Sequence, residues 1–291
     1  THPTPYTFSV IFVDPANTNP HPARTLVMGV VNVTPNSFSD GGMWADPEVA
    51  IRHARDLVAQ GANIIDVGGE STRPGTERTP EDEELRRVMP VVKALVSDGV
   101  TVSVDTMRAS VAKAVVEAGA TIVNDVSGGK AEPQVLNVVA DSGVDYVLMH
   151  WRGQSATMQD LTHYDDVVAD VISETSQQVD AALAAGIDRE RIIVDPGIGF
   201  SKTAEQNWQL IDAVDAFQDG FKDLRVLWGV SRKRFLGELL ADNGEDRPAL
   251  ERDASTMALS TYLALHRAWC VRTHEVRANR DAMETVARLL A

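Results

Sequence analysis

Short apolar runs alternate with longer amphipathic stretches along most of the chain. The runs cover residues 26–31, 63–67, 101–104, 121–123, 146–149, 191–194, 226–230 and 270–273. They are rich in β-branched residues and apolar at successive positions rather than at alternate ones. That pattern belongs to strands buried on both faces of a parallel sheet. Their starts lie 20 to 45 residues apart, close to the length of a βαβ unit. The stretches between them predict helices. Asp46-Pro47 offers a capping carboxylate followed by proline at the first helical position, ahead of a helix over 49–59. Thr79-Pro80 predicts the same start for the next helix, and the cluster Glu81-Asp82-Glu83-Glu84 suits the positive end of its dipole. Further helices are predicted over 107–118, 133–142, 165–185, 204–217, 250–267 and 277–290, several of them stopped by glycine (Gly61, Gly119, Gly143, Gly186).

Eight strand–helix units in about 265 residues predict a (β/α)8 TIM barrel. The competing arrangement is a doubly wound open sheet, which usually carries a glycine-rich phosphate loop. Neither G-x-G-x-x-G nor G-x-x-x-x-G-K-[ST] occurs. Residues 1–24 hold five of the 13 prolines around one short strand-like run, 7–13. They read as an N-terminal extension, hairpin-like, laid over the fold. Residues 25–291 then form a single barrel domain.

Composition narrows the function. A formal net charge of −15 argues against general affinity for nucleic acid or an anionic membrane surface, both of which need a basic face. No apolar run approaches the roughly 20 residues of a membrane span, and no signal-peptide pattern stands at the start. The first residue is Thr1, as in a processed or trimmed chain. The only cysteine, Cys270, sits in an apolar run and reads as packing. Together these features predict a protein of the reducing cytoplasm. Of the 27 cations, 21 are arginine and six are lysine. Arginine suits bidentate phosphate recognition.

In a barrel, function gathers where the strands end. Just past the apolar runs stand Asn32, Asp66, Asp105, Asn124, His150, Asp195, the trio Ser231-Arg232-Lys233, and His274. Asparagine and aspartate are common in turns, but all eight strands end in a polar residue, which predicts a shared pocket. Three carboxylates and two amides suit a planar ring bearing N–H donors, because an ionised carboxylate only accepts hydrogen bonds. Arg73, Arg232, Lys233, Arg272 and His274 are placed to hold a phosphate-like group at the rim. Residue types and spacing therefore point to a ring-plus-phosphate substrate and leave the reaction open.

These segments carry a resemblance. Asn32-Val33-Thr34-Pro35-Asn36-Ser37-Phe38-Ser39-Asp40-Gly41-Gly42 and Asp66-Val67-Gly68-Gly69-Glu70-Ser71-Thr72-Arg73-Pro74-Gly75 resemble the two signatures of the dihydropteroate synthase family. The likeness continues through Ser103-Val104-Asp105-Thr106, Asn124-Asp125-Val126-Ser127-Gly128-Gly129, Met149-His150, Asp195-Pro196-Gly197-Ile198-Gly199-Phe200, Ser231-Arg232-Lys233-Arg234-Phe235-Leu236-Gly237 and Arg272-Thr273-His274. It spans about residues 26 to 290, and eight motifs in order make it specific. It implies a transferase of folate biosynthesis. The reaction condenses 6-hydroxymethyl-7,8-dihydropterin diphosphate with p-aminobenzoate to 7,8-dihydropteroate and diphosphate, and sulfonamides inhibit it. By match of motif, Asp105, Asn124, Asp195 and Lys233 hold the pterin. Asn32 holds Mg²⁺ on the diphosphate, with Arg73, Arg272 and His274 as anion contacts. Phe38, Thr72, Pro74 and Ser231 shape the aminobenzoate site, and Arg232 lines that site or the diphosphate. Asp105, Lys233, Arg272 and His274 are the expected catalytic set, and the family implies a homodimer. Asn36 departs from the family, which commonly has aspartate there.

Several residues carry plainer readings. Asn32-Val33-Thr34 matches a glycosylation acceptor only by chance. Asp66 is either a ligand or a structural cap of the second loop. His150 reads as holding a loop, and Arg152 as either a loop contact or a solvated charge. Arg234 is expected to pair on the outside of its helix. Trp44, Trp151 and Trp208 read as packing. Two other functions share the barrel: a pterin-binding paralogue without synthase activity, and a pterin-dependent methyltransferase. The intact Thr72-Arg73-Pro74-Gly75 and Ser231-Arg232-Lys233 segments speak against the first. An arylamine pocket built from Phe38, Arg73 and Ser231 speaks against the second.

Overall fold

The structure, a computed structural model, describes residues 24–34, 46–71, 78–154 and 160–291. Eight parallel strands close into a barrel in sequence order: β1 (Leu26–Asn32), β2 (Ile64–Gly68), β3 (Val102–Asp105), β4 (Ile122–Asp125), β5 (Asp145–Met149), β6 (Ile192–Asp195), β7 (Arg225–Trp228) and β8 (Cys270–Thr273). The helices are α1 (Pro47–Ala59), α2 (Glu81–Ser97), α3 (Ala109–Glu117), α4 (Gln134–Ser142), α5 (Val167–Ala184), α6 (Ala204–Asp212), α7 (Val214–Gly220), α8 (Arg234–Leu239), α9 (Asp253–Leu265) and α10 (Val276–Leu290). The architecture is the expected (β/α)8 barrel. The strand-like run at 7–13 lies outside the described residues. Among the described residues no helix is long and apolar enough to cross a membrane.

Local chemistry explains most boundaries. The Asp46 side chain accepts from the Glu48 N–H, with Pro47 opening α1 as expected. The second helix starts differently. Pro80 itself stands at the cap position of α2 and no side chain caps it, because the Thr79 hydroxyl faces Arg87 instead (3.4 Å). The stretch predicted as one helix over 204–217 breaks at Ala213 into α6 and α7. The strand predicted over 226–230 stops at Trp228, and the helix expected to carry Arg234 is the short α8 behind Lys233. Gly119 ends α3 with φ of 104°, where an added Cβ would lie 2.7 Å from Val96 Cγ1.

Two apolar regions hold the barrel. The larger lies between the strands and the helical ring and includes Val31, Ile65, Val104, Val123, Leu148 and Val194. Each such side chain, fully buried, contributes about 1.5–3 kcal/mol. The smaller fills the barrel interior with Met28, Ile64, Ile122, Val147, Ile193, Leu227 and Cys270 over Trp269. It plugs the lower half, so among the described residues the upper end is the one open to a ligand. Around the lower rim the buried Asp145 accepts from Arg225 (2.6 Å) and Arg191 (3.2 Å).

Candidate active site

Strand register sets the upper rung. Asn32 pairs with Gly68, Gly68 with Asp105, and Asp105 with Asn124. Four consecutive strands thus present an amide, a gap, a carboxylate and an amide at one level. The gap matters, because a Cβ on Gly68 would lie 3.5 Å from Asn32 Oδ1 and 3.6 Å from Asp105 Cβ. Glycine leaves the space between these two side chains open. Asn32, Asp105, Asn124, Asp195, Ser231, Arg232, Lys233, Arg272 and His274 all line one cavity of about 630 Å³. Its apolar wall includes Val126, Met149 and Phe200. Lys233 Nζ stands 4.2 Å above the Phe200 ring.

Asp66 and His150 depart from the expected pocket. Asp66 is fully buried. It sits one inward-facing position below Gly68, because β2 runs on past the apolar residues. Its carboxylate accepts from Ser103 Oγ (2.6 Å), Asn124 Nδ2 (3.0 Å) and Arg272 Nε (2.7 Å). Because Asp66 can only accept, it turns the Asn124 amide nitrogen toward itself and so orients the carbonyl end. It fixes Arg272 in the same way, while Arg272 Nη2 reaches Asp105 at 3.4 Å. His150 is also fully buried and points to Glu174 on α5, 2.9 Å from Nε2. Arg152 meets the same carboxylate (3.0 Å from Nε) and stacks on the Tyr164 ring.

The charges at the mouth are poorly matched. Burial, then the neighbouring Asp66, push Asp105 up to about 8 against the pull of Arg272. Burial also raises Asp195, opposed by the Gly197 N–H at 2.7 Å and by Lys233. Burial and then Arg272 bring Lys233 down to about 8, although Asp195 and Asp105 pull it the other way. Toward the rim, His274 Nδ1 lies 3.0 Å from Ser231 Oγ. Arg232 occupies the left-handed region at φ 58°. Its guanidinium forks onto Asp253 (2.7 and 2.9 Å), so it lines the cavity while committed to α9. Arg234 is the expected outward residue, pairing with Glu238 and Asp246, yet it borders the same cavity.

Phe38, Thr72, Arg73 and Pro74 lie outside the described residues, as do Asn36 and Trp44. The stems of the second loop are described, and three arginines grip them. Arg78 and Arg108 both pair with Glu70 (3.0 and 2.6 Å). Arg108 also reaches the Thr79 carbonyl and the buried Glu84, and Arg87 donates to the Gly69 carbonyl (2.9 Å). Glu84 therefore does more than favour the helix dipole. The sequence reading missed this grip, as it missed Lys202, a buried lysine on the cavity wall. The available signal was its rarity in an arginine-dominated chain.

The pocket is thus rich in acceptors at depth, cationic toward the rim and apolar on one wall. That arrangement accepts a flat donor-bearing ring with an anionic tail. Among the described residues no three His, Cys, Asp or Glu side chains converge on a metal position.

The sequence matches the pterin-binding enzyme family over residues 28–274. It is 50% identical to the dihydropteroate synthase of Mycobacterium leprae, covering 92% of this chain and 94% of that protein. It is 43% identical to the Bacillus subtilis dihydropteroate synthase, over 87% and 85% of the two chains. Among solved structures, the Yersinia pestis dihydropteroate synthase with a sulfonamide drug superposes with a TM-score of 0.87 at 38% identity, over 92% of this chain and 95% of that one. The Xanthomonas albilineans dihydropteroate synthase in complex with 7,8-dihydropteroate superposes at 0.80 with 40% identity, over 92% and 94%.

Proposed function

The chain belongs to the pterin-binding enzyme family, and on that premise we propose that it acts as a dihydropteroate synthase. It joins 6-hydroxymethyl-7,8-dihydropterin diphosphate to p-aminobenzoate, and sulfonamides compete with the aminobenzoate. The observation that carries this reading is the convergence of Asp105, Asn124, Asp195 and Lys233 on one cavity at the barrel mouth. These are the side chains that the resemblance assigns to the pterin.

On this reading each has a task. Asp105 and Asp195 accept the N–H donors of the pterin ring. Asn124, oriented by Asp66, offers its amide carbonyl. Val126, Met149 and Phe200 cover a ring face. As the carbon–oxygen bond to diphosphate breaks, positive charge develops on the pterin methylene and spreads into the ring. A carboxylate at Asp105 stabilises that charge, and Lys233, Arg272 and His274 offset the negative charge leaving with the diphosphate. The amine of p-aminobenzoate forms the new carbon–nitrogen bond and loses one proton to the departing diphosphate. An arylamine held in line is nucleophilic enough without a strong base, so positioning supplies much of the rate. Ser231 borders the aminobenzoate end, with Phe38, Thr72 and Pro74 from the loops; Arg73 joins the anion contacts.

A neutral amide oxygen, Asn32 Oδ1, facing a carboxylate across the Gly68 gap suits a hard cation such as Mg²⁺ that takes its other ligands from water and diphosphate. Such an ion, when bound, neutralises the leaving group. The same reading carries a homodimer in the cytoplasm, supported by the resemblance and by a lone cysteine buried in the barrel.

Incubation of the purified protein with the pterin diphosphate, p-aminobenzoate and Mg²⁺ tests the proposal. Dihydropteroate should form only when both substrates are present. A chain that releases diphosphate without forming dihydropteroate would overturn it.

A further inference from the structure

Lys202 is one of only six lysines and is buried between β6 and α6. Its Nζ meets three acceptors: the carbonyls of Gly197 (3.0 Å) and Phe200 (3.1 Å), and Nδ1 of His150 (3.0 Å). An ammonium has three hydrogens, and this geometry places all of them. His150 must then accept at Nδ1 and carry its hydrogen on Nε2, which faces Glu174 at 2.9 Å. Burial and the adjacent ammonium hold His150 down at about 3, so the imidazole is neutral. Glu174 stays ionised at about 2 despite its burial, through hydrogen bonds from His150 and Arg152. Burial brings Lys202 itself down to about 7, so below that pH a cation, a neutral ring and an anion form a line running away from the cavity.

The loop that Lys202 grips turns left-handed at alternate residues, freely at its glycines and with strain at Ser201. Gly197, Gly199 and Ser201 all have left-handed φ, at 69°, 82° and 49°. A Cβ on Gly197 would stand 2.4 Å from the His150 carbonyl. A segment of this kind keeps its shape only when its surroundings dictate it. Away from the mouth, the Gly199 N–H donates to Asn207 Oδ1 (2.7 Å) and the Ser201 carbonyl accepts from the Tyr164 hydroxyl (3.1 Å); three further contacts face the mouth. The Gly197 N–H donates to Asp195, the Phe200 ring lies beneath Lys233, and Gly199 is packed against the Lys233 stem, where a Cβ would approach Cδ to 2.8 Å.

We propose that Lys202, backed by His150 and Glu174, is a positioning residue for the pterin subsite, holding the loop over 196–201 so that it aims Asp195 and supports Lys233. The inference rests on the reading of this mouth as a pterin site. It assigns no role toward the aminobenzoate, at whose end Ser231 and His274 bond each other.

Lys202→Met keeps the side-chain length and removes the ammonium. Glu174→Gln, on a partly exposed side chain, weakens the same line with less risk to folding. Amide hydrogen exchange across residues 196–201 reads the loop directly and needs no substrate. Both variants should exchange faster there and not elsewhere in the barrel. The KM for the pterin diphosphate should rise about 10-fold or more in Lys202→Met and roughly 3-fold in Glu174→Gln, the scale of losing a charge-assisted hydrogen bond or a part of one. The KM for p-aminobenzoate at saturating pterin should stay within about 2-fold, as for a contact that serves only one substrate. Unchanged exchange in both variants, or equal rises in the two KM values, would overturn the inference. If the wild-type chain bound no pterin while the loop loosened as expected, the functional reading would fall and the tie between Lys202 and the loop would stand.

Discussion

Asp145 and Asp105 are both buried carboxylates at a strand tip, at opposite ends of the barrel. Asp145 opens β5 and accepts from two guanidiniums, Arg225 and Arg191. Asp105 closes β3 and, among the described residues, has a distant contact with Arg272, which it shares with Asp66. The lower carboxylate is fully matched inside the fold, whereas the upper one is held near 8 by burial and a like charge. The difference teaches where this fold keeps its chemistry. Matched charge at the lower end holds the fold, and unmatched charge at the upper end waits for a ligand to complete it.

The largest effects should come from breaking one end and leaving the other intact. Lys233→Ala should lower kcat/KM for the pterin diphosphate by ~10²-fold or more, the scale of losing a positioned electrostatic contact, with Tm held or raised because a half-buried cation has been removed. Steady-state kinetics and thermal melts on the same preparation check this. Arg225→Met should do the reverse. Removing one partner of a buried pair usually costs about 3–5 kcal/mol. Arg191 remains on Asp145, so roughly 2 kcal/mol is expected by the same reasoning, with kinetics of the folded fraction unchanged. Urea titration measures the loss. Kinetic damage from Arg225→Met would erase the contrast.

Asp66 sharpens the comparison because it joins the two regimes. It is matched like Asp145 but serves the mouth. Asp66→Asn keeps the shape, adds a donor opposite Asn124 Nδ2 and withdraws a charge from Arg272. The pterin KM should rise about 10-fold, one charge-assisted hydrogen bond's worth. A purely structural Asp66 would lower Tm and leave the pterin KM alone.

The upper rung was legible because strand-end asparagines and aspartates mark it directly. Asn32, Asp105, Asn124 and Asp195 all lie where the sequence places them, on one cavity. Asp66, left open between ligand and structural residue, lies one inward-facing position below the rung and bonds Ser103, Asn124 and Arg272. Its apolar run stops at Val67, but Gly68 continues the strand by pairing with Asp105, and a glycine carries no strand signal. The break at Ala213 has no glycine or proline to announce it. The contacts of Lys202, marked only by its rarity, and the arginine grip on the second loop went unread for another reason. Long side chains reach across elements to partners distant in sequence, and no local periodicity encodes that reach. The first loop and the N-terminal extension lie outside the described residues.

The smallest effect is a pH profile. Asp105 must be ionised to accept from the pterin, so activity falls as pH drops below about 8. Lys233 must be protonated, so activity falls as pH rises above about 8. The kcat/KM for the pterin substrate should trace a narrow bell near pH 8, whose limbs belong to the coupled pair rather than to either group alone. Asp145→Asn should leave the bell in place.

Calorimetric titration of 6-hydroxymethyl-7,8-dihydropterin into the wild type, Asp105→Asn and Asp145→Asn tests most directly that the upper end alone is the ligand's. Wild type and Asp145→Asn should bind one pterin per chain with the same affinity, and Asp105→Asn should bind about 10-fold or more weakly, as for one lost charge-assisted contact. Equal affinity in Asp105→Asn, or weakening in Asp145→Asn at a temperature where it stays folded, would contradict the account.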